Sequence, residues 1–274
     1  MSSFEIFQIS DPHLSPARPQ FVPNFEIARD LIDGFRPDLV VCTGDLTVEA
    51  PDRPAELEFA RQALDSLRSP RKVIPGNHDV GDNPDAGHAP ERPVCAEWLA
   101  AYERVFGDGR WVMREAAWTL IGLNAQLFNS GLPQEAAQLD WLADRLDGAA
   151  GPVAIFCHKP LFCEVPDETP ALRPFFVPTA TRPALVGLLR RADVRLFASG
   201  HVHQGRDRTQ AGVRHVWAPP VSFVLPDAMQ PRYGTKACGL VRYRFTPDAL
   251  AVEMLYPEQL MSPAEDIVAQ AYAA

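Results

Sequence analysis

Five short clusters in this 274-residue chain carry side chains that hold metals: Asp11-Pro12-His13, Gly44-Asp45, Gly76-Asn77-His78-Asp79, His158 and Gly200-His201-Val202-His203. They supply carboxylates, imidazoles and one amide oxygen, with no thiolate. That mixture suits two ions of Mn, Fe, Zn or Co, divalent or trivalent, and disfavours Ca, which takes oxygen ligands alone. Two such ions about 3.5–4 Å apart can clamp the attacking and leaving oxygens of a displacement at phosphorus. Five of the seven histidines fall in these clusters; His88 and His215 do not.

Taken singly, each cluster has a plainer reading. Asp-x-His is common in surface turns, Gly-Asp after a strand is a frequent turn, and a single histidine after Cys157 suits a structural role. Glycines 44, 76 and 200 would simply let the chain leave a strand. The elements around the clusters favour chemistry. Phe4–Ile9 alternates as a strand and runs into Asp11 and His13. Residues 39–42 form an apolar run ending at Gly44-Asp45, and residues 71–74 lead to Gly76-Asn77-His78. Residues 153–157 lead to His158, and 194–198 to His201 and His203. In an open α/β sheet, sites form beyond the carboxyl ends of the strands. All five clusters then converge, although some 190 positions separate the first from the last.

Helical spacing predicts helices over 24–35, with Asn24 as N-cap and Pro37 after the end, and over 54–68 and 134–146. Strand and helix alternate, which predicts parallel pairing. Residues 80–115 are rich in Pro and Gly early on and contain a predicted helix at 95–106; they read as an insertion over one end of the sheet. After residue 203, runs at 213–217, 221–225, 238–245 and 249–255 predict an antiparallel second sheet. Ser262-Pro263-Ala264-Glu265 reads as a capping box opening a short helix at about 262–273. Its apolar face packs on the domain or on a second copy of the chain, which leaves a homo-oligomer open. The fold expected is α/β: one domain over 1–274, with two sheets stacked face to face and helices outside.

These motifs, taken in order over residues 11–203, resemble the calcineurin-like metallophosphoesterases. Within that superfamily the chain is most similar to the bacterial branch of class III cyclic nucleotide phosphodiesterases and glycerophosphodiesterases. The resemblance implies a four-layer α-β-β-α sandwich of two mixed sheets. It implies that Asp11, His13 and His203 bind a first ion, that Asn77, His158 and His201 bind a second, and that Asp45 bridges them. His78 then binds no metal; it sits beside the scissile phosphate and meets the leaving oxygen. The implied activity is a phosphodiesterase on a small diester of cyclic nucleotide or glycerophosphodiester type, attacked by a bridging hydroxide. A phosphomonoesterase is the closest alternative. A non-catalytic scaffold is remote, because all seven ligands and His78 are present.

Some positions depart from the pattern. Val48 stands where many relatives have an Asp or Asn that orients the catalytic histidine, which leaves Glu49 or Asp79 for that task. Asn124 replaces an Asp of several phosphodiesterases. Lys159 follows His158 where relatives often have His or Asn, and it reads as a surface lysine ahead of a contact for a substrate anion. Arg206 and Arg208 read as phosphate contacts or as a salt-bridged strand edge. Trp217 and Phe223 read as pocket wall or core, and residues 124–131 as further pocket candidates.

The net charge of −9 and pI near 5.3 disfavour non-specific binding to a nucleic-acid polymer, where a basic face is expected. A small phosphate ester is the partner expected. Five cysteines at irregular spacing form no disulfide framework and suit a reducing compartment. No stretch reaches the ~18 uncharged apolar residues of a membrane span. MSSFEIFQIS lacks a basic start and a long apolar run, so no signal peptide and a cytoplasmic location are expected.

Overall fold

Strand β1 (Phe4–Ile9) pairs in parallel with β2 (Leu39–Thr43), which pairs in parallel with β3 (Arg71–Ile74). On its other side β1 pairs antiparallel with β10 (Leu240–Phe245), and β10 with β11 (Leu250–Leu255). The first sheet of this computed structural model therefore runs β11-β10-β1-β2-β3. The second contains β4 (Trp111–Glu115), β5 (Trp118–Leu123), β6 (Val153–Cys157), β7 (Val194–Ser199), β8 (Arg206–Gln210) and β9 (Val213–Trp217), in the order β4-β5-β6-β7-β9-β8. The structure describes residues 3–85, 88–168 and 175–272.

The layers follow from which faces are apolar. Ile6, Val41 and Tyr243 of the first sheet pack on Leu120, Phe156 and Leu196 of the second. The opposite face of the first sheet, with Phe7, Val40 and Cys42, is covered by α1 (Val22–Phe35), α2 (Ala55–Asp65) and α4 (Ala96–Phe106). The outer face of the second, with Ile121, Ile155 and Phe197, is covered by α5 (Pro133–Asp147) and α6 (Arg182–Leu189). The result is the four-layer α-β-β-α sandwich of two mixed sheets. Gln8 faces the inter-sheet layer yet is polar. It donates to Thr43 Oγ1 (2.8 Å) and Ser199 O (3.1 Å) and accepts from the Tyr243 hydroxyl (2.6 Å). This buried, satisfied amide ties β1, β2 and β7 together beside the strand ends where the site lies.

Several expectations change. The five ligand-bearing strands do not form one sheet, because β1–β3 and β6–β7 divide between two. The late strands make no separate sheet either: β8 and β9 extend the second, and β10 and β11 extend the first. Residues 221–225 are not a strand, whereas 206–210 is one. Residues 111–115, read as insertion, form the edge strand β4. Asn24 lies inside the first turn of α1 and donates to Ser222 O and Met261 O instead of capping. The last helix, α7, begins at Glu265 and runs to Tyr272, and Ser262 Oγ accepts from Val224 N–H. Val268 of α7 packs with Phe21, Val48, Phe223 and Leu225; Ala273 lies outside the described residues. All five cysteines are free. Among the described residues no helix is long and apolar enough to cross a membrane.

His215, outside the metal clusters, sits on β9 against Phe162 and Phe197. Burial, and then the charge of Arg208, holds its pKa down to about 4. The folded protein keeps this ring neutral where the unfolded chain, near pKa 6.5, binds a proton. Its contribution to stability is whole above about pH 6.5 and is lost as pH falls toward 4, up to about 3 kcal/mol. His215→Phe is expected to remove that acid sensitivity. Urea unfolding of both proteins at neutral and acidic pH checks it; parallel pH profiles would refute it.

Candidate metal centre

All five ligand-bearing strands end at the same side of the molecule. β1 leads to Asp11 and His13, β2 to Asp45, β6 to His158, and β7 to His201 and His203. β3 leads to α3, the single turn Asn77–Val80 that presents Asn77 and His78. The loops are pinned to each other: Asp11 N–H donates to Gly44 O (3.1 Å) and His13 N–H to Asp45 O (3.0 Å). Ser222 Oγ, which sequence reasoning missed, donates to Asp11 O (2.6 Å).

Asp11, His13, Asp45, His201 and His203 all adopt left-handed backbone, with φ of 54°, 47°, 51°, 67° and 52°. For residues with a Cβ this costs roughly 1–2 kcal/mol each, and it persists where surrounding structure over-determines it. Two glycines serve close approach. Gly44 has φ +92°, and a Cβ there would lie 2.5 Å from His158 Nδ1. A Cβ on Gly200 would collide with Ser10 Oγ and crowd Asp11 Oδ2.

Two groups of ligand atoms result. Asp11, His13, Asp45 and His203 offer atoms all within 4.8 Å of one another, and so do Asp45, His158 and His201. Asn77 joins the second group, its Oδ1 3.3 Å from His158 Nε2. Asp45 belongs to both: its Oδ2 lies 3.8 Å from His13 Nε2 and 3.3 Å from His158 Nε2. The seven residues predicted as ligands are thus together, all but Asn77 buried.

The hydrogen bonds at the rear of the rings decide what the front offers. His158 Nδ1–H donates to Thr43 O (2.7 Å) and His203 Nδ1–H to Phe223 O (2.7 Å). A carbonyl can only accept, so the Nε2 atoms of the neutral rings are lone pairs. His203 Nε2 faces Asp11 Oδ1 at 3.5 Å and His13 Nε2 at 3.3 Å. His158 Nε2 faces Asp45 Oδ2, Asn77 Oδ1 and, at 3.0 Å, His201 Nδ1. With the rings neutral, the Nε2 lone pairs of His158 and His203 crowd carboxylate and amide oxygens and call for a cation among them, so the residues present fit a pair of metal ions.

The electrostatics agree. Burial first, then neighbouring cationic groups, holds His13 and His201 well below the ordinary imidazole range; burial also lowers His203, against the pull of Asp11. Neutral imidazole is the form that binds metal. Burial alone would raise Asp45, but His158, His78 and His13 hold it well below the usual carboxylate range. Burial raises Asp11, partly offset by His203. Burial opposes charge on His158 too, yet the Asp45 carboxylate pushes its pKa up to about 9. In the absence of an ion a proton therefore occupies the second group, and a bound ion must displace it.

His78 is not in either group. Its backbone N–H donates to Asp45 Oδ1 (2.9 Å), and its ring packs at 4.8 Å from that of His13. The group that orients it is neither Glu49 nor Asp79. His78 Nδ1–H donates to the backbone carbonyl of Val48 at 2.5 Å. Glu49 instead pairs with Arg18 and Arg53. Asp79 accepts from the backbone N–H groups of Leu46, Thr47 and Gly76 and from Thr47 Oγ1. It clamps the turns on both sides of Asp45. Burial, then the charge of Asp45, raises Asp79 to about 6 despite those bonds.

Other predicted positions resolve differently. Lys159 is not a surface residue: it is fully buried, bonded to Asp82 Oδ1 (2.5 Å) and Asn83 Oδ1 (2.6 Å). Its partners lie 77 and 76 positions away, so no local pattern marks them. Arg206 and Arg208 pair with Glu164 on edge strand β8 and do not reach the ligands. Asn124 accepts from Gln126 N–H and opens a short turn. Phe223 walls the site, 4.5 Å from the ring of His203, whereas Trp217 packs under Arg206 and beside Phe176. A cavity of about 250 Å³ lies over the ligands, with Asn77, His78, Asp82 and His201 in its lining and Phe175 and Leu225 as apolar wall. An adjoining one of about 190 Å³ shares Asn77, His78 and Asp82 and adds Glu49, His88 and Arg92. Asp82 was not singled out by sequence; it falls within the stretch read as insertion.

The chain is 30% identical over 205 residues to a zebrafish (Danio rerio) protein named serine/threonine-protein phosphatase CPPED1, covering 70% of this chain and 62% of that one. The match thus spans less than two thirds of that relative. It is 25% identical over 229 residues to the 3′,5′-cyclic adenosine monophosphate phosphodiesterase CpdA of Escherichia coli K12, covering 78% and 74%. A crystal structure of a dimetal phosphatase from Danio rerio superposes with a TM-score of 0.64 over 92% of this chain and 95% of that one; at 16% identity this likeness concerns the fold. Residues 4–205 match the calcineurin-like phosphoesterase profile, a span that holds every predicted ligand from Asp11 to His203. With fold, strand-end ligands and profile in agreement, the chain belongs to the calcineurin-like phosphoesterase family.

Proposed function

We propose that the chain is a metal-dependent phosphohydrolase acting on a small phosphoester, with diesters preferred to monoesters. The observation that carries this reading is the pair of ligand groups sharing Asp45, with His78 at their edge. Asp11, His13, Asp45 and His203 would hold one ion, and Asp45, Asn77, His158 and His201 the other. Bound there, transition-metal ions supply Lewis acidity to phosphoryl oxygens and acidify water.

The chain's own residues do the rest. Thr43 O and Phe223 O fix the tautomers of His158 and His203, so their lone pairs point forward without reorganisation. Val48 O retains the Nδ1 proton of His78, so Nε2 is the atom that exchanges a proton with the leaving oxygen. Phe175, Leu225 and Phe223 exclude water around the reacting centre and strengthen those interactions. The two adjoining cavities together reach the low end of small-molecule sites, ~300–1,000 Å³, which suits a small ester.

The preference for diesters is supported by similarity to CpdA; similarity to CPPED1 supports the second reading, a phosphomonoesterase. Turnover should vanish on chelation and return with Mn²⁺. Kinetics of the reconstituted protein on bis-p-nitrophenyl phosphate, p-nitrophenyl phosphate and 3′,5′-cyclic nucleotides test both points. Faster monoester turnover would overturn the diester preference, and activity untouched by chelation would sink the metal dependence.

A further inference from the structure

Lys159 is a buried charge that the reading above leaves unused. Its side chain has 0% exposure, and it follows the ligand His158 directly. An ammonium taken out of water is costly unless it is paired and hydrogen-bonded. Beside a site for two cations it is more costly still, so its partners must give it a purpose.

Those partners lead to Asn77. Lys159 Nζ donates to Asp82 Oδ1 and Asn83 Oδ1. Asn83 Nδ2 donates to Ala125 O and Phe128 O, both at 2.8 Å, which locks the turn after α3 to the turn after β5. With its amide placed so that both neighbours are satisfied, Gln126 donates to Asp82 Oδ1 (3.1 Å) and accepts from Asn77 N–H (3.3 Å). Asn77 is the first residue of α3, whose leading N–H groups have no partner inside the helix. Gln126 supplies that partner. The other ligands of the second group have their own supports: Thr43 O behind His158, His78 N–H on Asp45, and the Asp11 carboxylate under the His201 N–H. An amide oxygen is a neutral, weak donor, so its value as a ligand depends on being held in place.

We propose that Lys159, Asp82 and Gln126 are positioning residues that hold Asn77 as a ligand of the second ion. This rests on the dinuclear reading above. Cobalt(II) titration of the metal-free chain, followed by visible absorption, tests it by giving two affinities. Gln126→Leu should weaken the second affinity by about 10- to 100-fold and leave the first within about threefold. Lys159→Met should do the same or more. If Lys159→Met does not fold, Gln126→Leu, which removes no charge and keeps the Lys159–Asp82 pair, carries the test alone.

A merely structural role would lower the melting temperature and leave the ratio of affinities unchanged. That outcome, or an equal fall of both affinities, overturns the positioning role. A wild-type chain that takes up fewer than two cobalt ions overturns the dinuclear reading, and the positioning role with it.

Discussion

Asp45→Ala is expected to leave the protein without either ion and to lower turnover by about three orders of magnitude or more. Asp45 is the only residue common to both ligand groups, so its loss takes one donor from each. It is also the carboxylate facing His158 and the acceptor for His78 N–H. The Lewis acidity lost is worth several kcal/mol, and each 1.36 kcal/mol is a factor of ten in rate. Metal content by mass spectrometry after dialysis is the direct measurement. A variant that retains two ions would refute the bridging role. Asp45→Asn sharpens the test: the amide keeps the shape and one acceptor oxygen but cannot bridge with full charge. It should retain more metal than the alanine variant and less than the wild type.

His78→Ala has a different signature. Both ions should remain, because His78 lies outside the two groups. Loss of a proton donor at the leaving oxygen costs about 10²–10⁴-fold in kcat. The loss should depend on the leaving group. An alkoxide needs the proton, whereas p-nitrophenolate departs without it, so alkyl esters should suffer more than p-nitrophenyl esters. An equal loss on both would remove His78 from proton transfer. A fall in metal content would mean that it supports the ions instead. The Val48 carbonyl adds a constraint, since it fixes which ring nitrogen faces the substrate. Substituting the Val48 side chain should therefore spare the orientation of His78, provided the packing with Phe21 and Phe223 is kept.

The supports of His78 and Lys159 explain where reading the sequence stops. An Asp or Asn three positions after Asp45 would have been visible as a residue type; a carbonyl is present at every position, and only the path of the chain aims it. Lys159 reads as exposed because most lysines are, and its burial depends on Asp82 and Asn83 arriving from a distant loop. Arg206 and Arg208 look like phosphate contacts by type, but their place on edge strand β8 turns them to Glu164. Sheet membership was hidden for the same reason. Apolar runs identify β6 and β7 as buried strands, yet β6 pairs with β5 as well as β7, and β7 with β9 as well as β6, and nothing local names a strand's partner.

What the sequence determined by itself was the set of candidate ligands, their order, and their position after successive strands. Those are local properties: an apolar run, a residue that breaks it, and a side chain with a lone pair. The tertiary structure alone decided that three of these strands belong to one sheet and two to another. It also decided that the stacked strand ends bring the ligands into two groups sharing Asp45, and that backbone carbonyls set the tautomers. Each of those depends on contacts between residues far apart in the chain, such as Asp11 with His201 and His203, which come together only when the two sheets pack.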